Sequence, residues 1–213
     1  MNPSASIGSR LNAILELVTD VQQKEPYPYI WDCCCDHGYL GIKILSHDLC
    51  EKLVFVDQLP HIIEHLTDRI APYSTGKHEL ITADAGDLVF DSQNRHLVIL
   101  AGVGGECIIE IVSEIESNHP DVQIDYIFCP SSKQSILREY LSSQSMGLLF
   151  ESIVCEKKRC YEIIYVQGKA EIGSLPAVSL TCDLWDMDNE DHQQYLKKIN
   201  TPRVSKKPKR RIK

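Results

Sequence analysis

Apolar residues recur along this chain in two alternating rhythms. At the start, Ile7, Leu11, Ile14, Leu15, Leu17 and Val18 mostly fall three or four residues apart. That spacing predicts an amphipathic helix within residues 4 to 23, beginning at about Gly8 and ended by Pro26 and Pro28. Short runs of bulky side chains then alternate with helical stretches. Tyr29 to Cys34 reads as a buried strand, Tyr39 to Leu45 as the start of a helix, and Leu53 to Val56 as a second strand ending at Asp57. Pro60 to Ile70 is helical, with Pro60 suited to a first turn. Glu79 to Thr82 is a third strand ending near Asp84, and Leu97 to Leu100 a fourth, followed by Ala101 to Gly105 and a helix through about Glu116. Tyr126 to Phe128 is a fifth strand ending at Pro130, with a helix from about Gln134 to Ser143.

The rhythm then changes. Leu148 to Cys155 and Cys160 to Val166 are two β-rich runs joined by the charged turn Glu156, Lys157, Lys158, Arg159, which signals a hairpin. Five βα units followed by a hairpin predict an α/β fold, Rossmann-like, whose mostly parallel sheet carries one antiparallel strand. A nicotinamide-type Rossmann domain would continue with a sixth parallel strand. Residues 169 to 202 form a short extension with a helix from about Asn189 to Ile199, so the main domain is residues 1 to 168.

Composition narrows the setting. The chain has 213 residues, enough for one sizeable α/β core. No apolar run spans a bilayer and the N-terminus lacks a signal-type stretch, which points to the cytoplasm. Of the nine cysteines, Cys33 to Cys35 fall at a buried strand end and Cys107, Cys129, Cys155 and Cys160 in or beside apolar runs. Cys33 to Cys35, Cys107, Cys129, Cys155 and Cys160 are therefore expected as reduced, buried thiols. No pair of CxxC motifs is present, so no metal is expected. The net charge is −8, yet residues 203 to 213 carry seven cations and no anion, leaving −15 on the rest. A basic tail on an acidic body suggests an arm for a polyanion.

Ligands of open α/β sheets bind beyond the carboxyl ends of the strands, and four such ends carry chemistry here. The first is Asp32-Cys-Cys-Cys-Asp36-His37-Gly38, where Cys34 and Asp36 take two positions usually held by glycine and only Gly38 remains. Asp32 suits the amino-acid part of a cofactor, and Asp36 adds negative charge, which favours a cationic sulfonium over a pyrophosphate. The alternative for Asp36 and His37 is a capped, solvated turn. Asp57, with Gln58 beside it, suits the two hydroxyls of a ribose. Asp84 suits an adenine amine and the Ala85 N–H its ring, with Asp87 a competing candidate. Ala101-Gly102-Val103-Gly104-Gly105 implies close backbone approach by cofactor or substrate.

Together these segments resemble the bacterial tRNA (adenine-N1)-methyltransferase family that acts on the adenine at position twenty-two. The resemblance runs from about Ile7 to Gly168. It rests on Ser9-Arg10-Leu11, on Asp32 with Asp36-His37-Gly38-Tyr39-Leu40, and on Ala101 to Gly105. Pro130 with Leu137-Arg138, then Glu151 and Tyr161 to Ile164, complete it. It implies a class I methyltransferase fold, S-adenosylmethionine as donor and tRNA as substrate. By position it places Asp32, Cys34, Asp36, His37, Gly38, Asp57, Gln58, Asp84, Ala85, Ala101 and Gly102 at the cofactor. Arg10, Tyr39, Gly104, Gly105, Pro130 and Arg138 are expected at the substrate. Gly102 and Gly104, with Asp36 and His37, are expected where the methyl group meets the base. Two departures stand out: Cys33 to Cys35 replace an Ile-Gly-Ser-like run, and the extension is too short for the helical coiled coil of many members, a role the basic tail would take. Two rivals remain at this point, a methyltransferase of another substrate and a degenerate fold that binds cofactor or RNA without turnover.

Overall fold

The computed structural model of the chain describes residues 7–73, 76–144, 146–168, 174–181 and 188–200. The apolar runs become strands, and the stretches with three-to-four spacing become the helices that cover them. In chain order these are α1 (Ser9–Lys24), β1 (Tyr29–Cys33), α2 (Tyr39–Ser46), β2 (Lys52–Asp57), α3 (Pro60–Ile70), β3 (His78–Thr82) and β4 (His96–Ala101). There follow α4 (Gly105–Asn118), β5 (Ile124–Cys129), α5 (Gln134–Ser143), β6 (Gly147–Glu156), β7 (Arg159–Gln167) and α6 (Glu190–Asn200).

The strands lie in one sheet in the order β3-β2-β1-β4-β5-β7-β6. β1 to β5 are parallel, and β7 runs antiparallel to both β5 and β6. This is the expected Rossmann-like α/β arrangement, a mostly parallel sheet closed by an antiparallel hairpin. Alternation along the central strands divides the core. Ile30, Leu53, Phe55, Leu97 and Ile99 face α1, α2 and α3, whereas Trp31, Val54, Val98 and Leu100 face α4 and α5. The chain order reverses between β1 and β4, so their carboxyl ends open a crevice, the usual ligand position of such sheets.

Three expectations are corrected. The third βα unit has no α-helix: between β3 and β4 the chain makes one 3₁₀ turn, Ala85–Asp87. Leu88 and Phe90 then enter the core two residues apart, a spacing that no helix face provides. Second, Cys155 and Cys160 are joined in a disulfide across β6 and β7. The strands extend further than their apolar runs, to Glu156 and from Arg159, so the turn is only Lys157-Lys158 and the two cysteines stand opposite each other. Third, Arg138 does not face a substrate. It is 2% exposed, its Nε donates to Glu162 at 2.5 Å, Nη2 to Glu151 at 2.7 Å and Nη1 to the Ser179 carbonyl at 2.9 Å. Buried between two carboxylates, it ties α5 to the hairpin.

Cys33, Cys35, Cys50 and Cys129 are buried free thiols, and Cys34 and Cys107 half-buried ones. Among the described residues no helix is long and apolar enough to cross a membrane. The basic tail lies outside the described residues.

Candidate active site

A cleft of about 720 Å³ opens at the carboxyl ends of β1 to β4. The loop after β1 forms its floor. Three residues of that loop alternate into the left-handed region: Cys34 at φ 55°, Asp36 at φ 47° and Gly38 at φ 65°. The path that glycines usually permit is thus kept by two residues with side chains, each held at a conformational cost of about 1–2 kcal/mol. Backbone ties hold them there: Cys35 N–H donates to the Val56 carbonyl at 3.1 Å, Gly38 N–H to the Cys35 carbonyl at 2.8 Å, and Asp36 N–H to Asp57 Oδ2 at 3.2 Å. Gly38 itself is buried beneath Leu66 and Phe55, where a Cβ would collide. It shapes the loop without lining the cleft.

Asp32 sits on β1 beneath this loop, 5% exposed, accepting the Gly41 N–H of α2 at 3.0 Å. Burial pushes its carboxyl up to about 7, and the Gly41 hydrogen bond opposes the shift only in part. Burial also pushes the Cys34 thiol up to about 12, assisted by Cys107, Asp57, Asp84 and Asp32. Cys34 is therefore a protonated wall residue, not a nucleophile.

Asp57 ends β2. Besides the Asp36 N–H, it accepts the Leu59 N–H at 3.1 Å. Asp84 follows β3 and caps the 3₁₀ turn through the Gly86 N–H at 3.0 Å. Each carboxylate thus holds nearby backbone with one or two of about four acceptor positions, which leaves capacity for a ligand. Ala85 and Gln58 line the cleft beside them. After β4, Ala101 and Gly102 line it too, and Gly102, at φ 98°, adopts a backbone that side chains disfavour.

At the mouth Tyr39 is exposed, with the Arg69 guanidinium 4.5 Å from its ring centroid and His37 edge-on at 5.7 Å. Arg10 enters from α1 and is the only lysine or arginine among the lining residues. Six acidic residues line the same cleft: Asp32, Asp36, Asp57, Asp84, Glu110 and Glu114.

The structure therefore brings together Arg10, Asp32, Cys34, Asp36, His37, Tyr39, Asp57, Gln58, Asp84, Ala85, Ala101 and Gly102. Gly104, Gly105 and Pro130 are not among the lining residues. Gly104 bridges to Ser132 and the Gly105 N–H donates to the Ser132 carbonyl at 2.9 Å, so both bind the β4–α4 loop to the loop after β5, where Pro130 is buried. Asp87 also stays outside. Sequence reading missed the α4 wall of Cys107, Glu110, Ile111 and Glu114. Its three-and-four spacing was a usable signal once α4 was placed.

These residues fit a nucleoside carrying a positive charge. Strand-end carboxylates at β2 and β3 match hydroxyl and amine donors, and the acidic lining favours a sulfonium, whereas a pyrophosphate would meet Asp36 and Asp57.

Residues 7–164 match the family model described as a methyltransferase domain. No curated protein sequence matches the chain significantly. Among solved structures, the chain resembles M. capricolum TrmK in complex with S-adenosyl-homocysteine at TM-score 0.66 and 20% identity, over 80% of this chain and 72% of that one. It also resembles Streptococcus pneumoniae Sp1610, a putative tRNA (m1A22) methyltransferase in complex with S-adenosyl-L-methionine, at TM-score 0.65 and 21% identity, over 79% and 77%. The B. subtilis M1A22 tRNA methyltransferase TrmK gives TM-score 0.63 and 15% identity, over 77% and 67%. At these identities the likeness establishes the fold.

Proposed function

The chain belongs to the methyltransferase domain family, and on that premise we propose that it moves a methyl group from S-adenosylmethionine to N1 of an adenine in tRNA. The observation that carries the donor half is the gathering of Asp32, Asp57, Asp84 and the bare Ala101-Gly102 backbone at one acidic cleft. The acceptor half is supported by the Asp36-His37-Gly38-Tyr39-Leu40 and Ala101–Gly105 segments and by the tRNA (m1A22) methyltransferases among the chain's structural relatives.

When bound, the donor supplies an electrophilic methyl on a cationic sulfur. Asp57 accepts from the ribose hydroxyls and Asp84 from the adenine amine, each with the acceptor positions its own turn leaves free. Neutral adenine has a lone pair at N1, so no strong base is required. The protein's work is alignment at near-attack distance along the Ala101-Gly102 backbone. The carboxylates then offset the positive charge that develops on the product ring. Tyr39, exposed at the mouth with Arg69 against its ring, stacks on a base turned out of the tRNA. Asp36 or His37 orients the exocyclic amine. A tRNA substrate places the protein in the cytoplasm.

The test is incubation with labelled S-adenosylmethionine and unmodified bulk tRNA, followed by nucleoside mapping. The expected product is 1-methyladenosine. Methyl transfer without RNA would replace tRNA by another substrate, and folded protein that transfers nothing would reduce the chain to a binding module.

A further inference from the structure

The tip of the β6–β7 hairpin takes no part in the reading above, yet its residues converge on Arg10, the one lysine or arginine lining the cleft among the described residues. Among the described residues no carboxylate ion-pairs with the Arg10 guanidinium. Two neighbours aim it instead. The Tyr161 ring centroid lies 5.2 Å from it, and Nη1 lies 3.3 Å from where a Cβ on Gly102 would stand. The backbone of Arg10 is held from the same direction, its N–H donating to Glu156 Oε2 at 3.3 Å. Gly8 packs against that carboxylate too. Glu156 thus serves the N-terminus of α1, where Gly8 has no side chain to cap it.

Glu156 and Tyr161 are the immediate neighbours of Cys155 and Cys160. The crosslink is flanked in the ladder by the Val154–Tyr161 and Glu156–Arg159 pairs, so it joins the two residues that hold Arg10. The turn beyond it places Lys157, Lys158 and Arg159 in succession, and their mutual repulsion favours an open tip. We propose that the crosslinked tip is a redox-sensitive positioning device: closed, it aims Arg10 into the cleft as an anchor for an oxyanion, and opened, it lets that anchor go. The inference rests on the methyltransferase reading, which supplies two sources of the oxyanion: the carboxylate at the methionine end of the donor and a phosphate of the target nucleotide.

The step is a thiol–disulfide exchange. A dithiol reductant gives two electrons and two protons, the Cys155–Cys160 bond opens to two thiols, and the reductant becomes a disulfide. The cytoplasm holds such reductants, which makes the crosslink reversible there.

The experiment compares full-length protein, oxidised and after dithiothreitol, for its dissociation constant for S-adenosylhomocysteine and its KM for tRNA. 5′-Methylthioadenosine, which lacks the carboxylate, is the control ligand. Reduction should weaken one of the two interactions roughly tenfold, the scale of one charge-assisted hydrogen bond. Weaker S-adenosylhomocysteine binding with unchanged methylthioadenosine binding identifies the carboxylate; a raised KM with kept kcat identifies the phosphate. Reoxidation should restore the lost interaction. Arg10→Gln should cause the same loss in oxidised protein and abolish the response to reduction. Tyr161→Phe should keep the response, whereas Tyr161→Leu should resemble the reduced form. Equal constants in both redox states, or a redox effect that survives Arg10→Gln, would overturn the proposal. Folded protein that binds no S-adenosylhomocysteine in either state would overturn the donor reading beneath it.

Discussion

Replacing Asp32 by Asn tests whether the cleft carries a carboxyl that resists ionisation. Asp32 is almost wholly buried, and burial raises it from the ordinary carboxylate value of about 3.9 to about 7. Between those values the unfolded chain has lost the proton while the folded chain still holds it. Stability therefore falls as pH rises through that window, by about 1.4 kcal/mol per pH unit, and the loss is complete above the folded value. Integrated, it amounts to about 4 kcal/mol. An asparagine carries no such dependence and its amide oxygen can still accept the Gly41 N–H. Urea unfolding of both proteins from pH 4 to pH 8 isolates the effect, because the other carboxyl groups cancel in the difference. The variant should gain about 4 kcal/mol relative to the parent across that range. A difference that stays constant within about 1 kcal/mol would mean that Asp32 ionises as an ordinary carboxylate, and the effect of burial assigned to it would be wrong.

Other perturbations test other parts. Arg138→Met leaves Glu151 and Glu162 buried without their guanidinium and should cost about 3–5 kcal/mol in urea unfolding; a loss below about 1 kcal/mol would show that the triad is dispensable. Gly102→Ala forces a Cβ at φ 98° beside Arg10. It should cost about 1–3 kcal/mol and lower methyl transfer, so an unaltered variant on both measures would reject the close approach assigned there. Removing residues 203 to 213 should weaken tRNA binding and flatten its salt dependence, as seven cations leave the contact; identical binding at every salt concentration would free the tail of that role.

Much of this architecture was legible in the residues because strand ends are marked by chemistry. Asp57, Asp84 and Ala101-Gly102 close apolar runs, and the fold carries each of these ends to the same edge. The hairpin was legible from its charged turn. Its crosslink was not, because the setting inferred from composition called for reduced thiols, although Cys155 and Cys160 flank that turn symmetrically and stand opposite each other. Arg138 was misread for a different reason. A cation on a helix resembles a surface group until the two acids that enclose it, Glu151 and Glu162, are brought from strands distant in sequence. The α4 wall went unnoticed because candidate chemistry was sought at the strand ends, whereas Cys107, Glu110, Ile111 and Glu114 reach the cleft from within a helix.

The claim on which the account turns is that this strand edge holds a sulfonium donor through Asp57. Calorimetric titration of the folded chain with S-adenosylhomocysteine, beside its Asp57→Ala variant, addresses it directly. One molecule should bind per chain, roughly tenfold or more weakly in the variant, in proportion to the lost hydrogen bonds to a charged group. No heat of binding on folded parent protein, or equal affinity in the two, would contradict it.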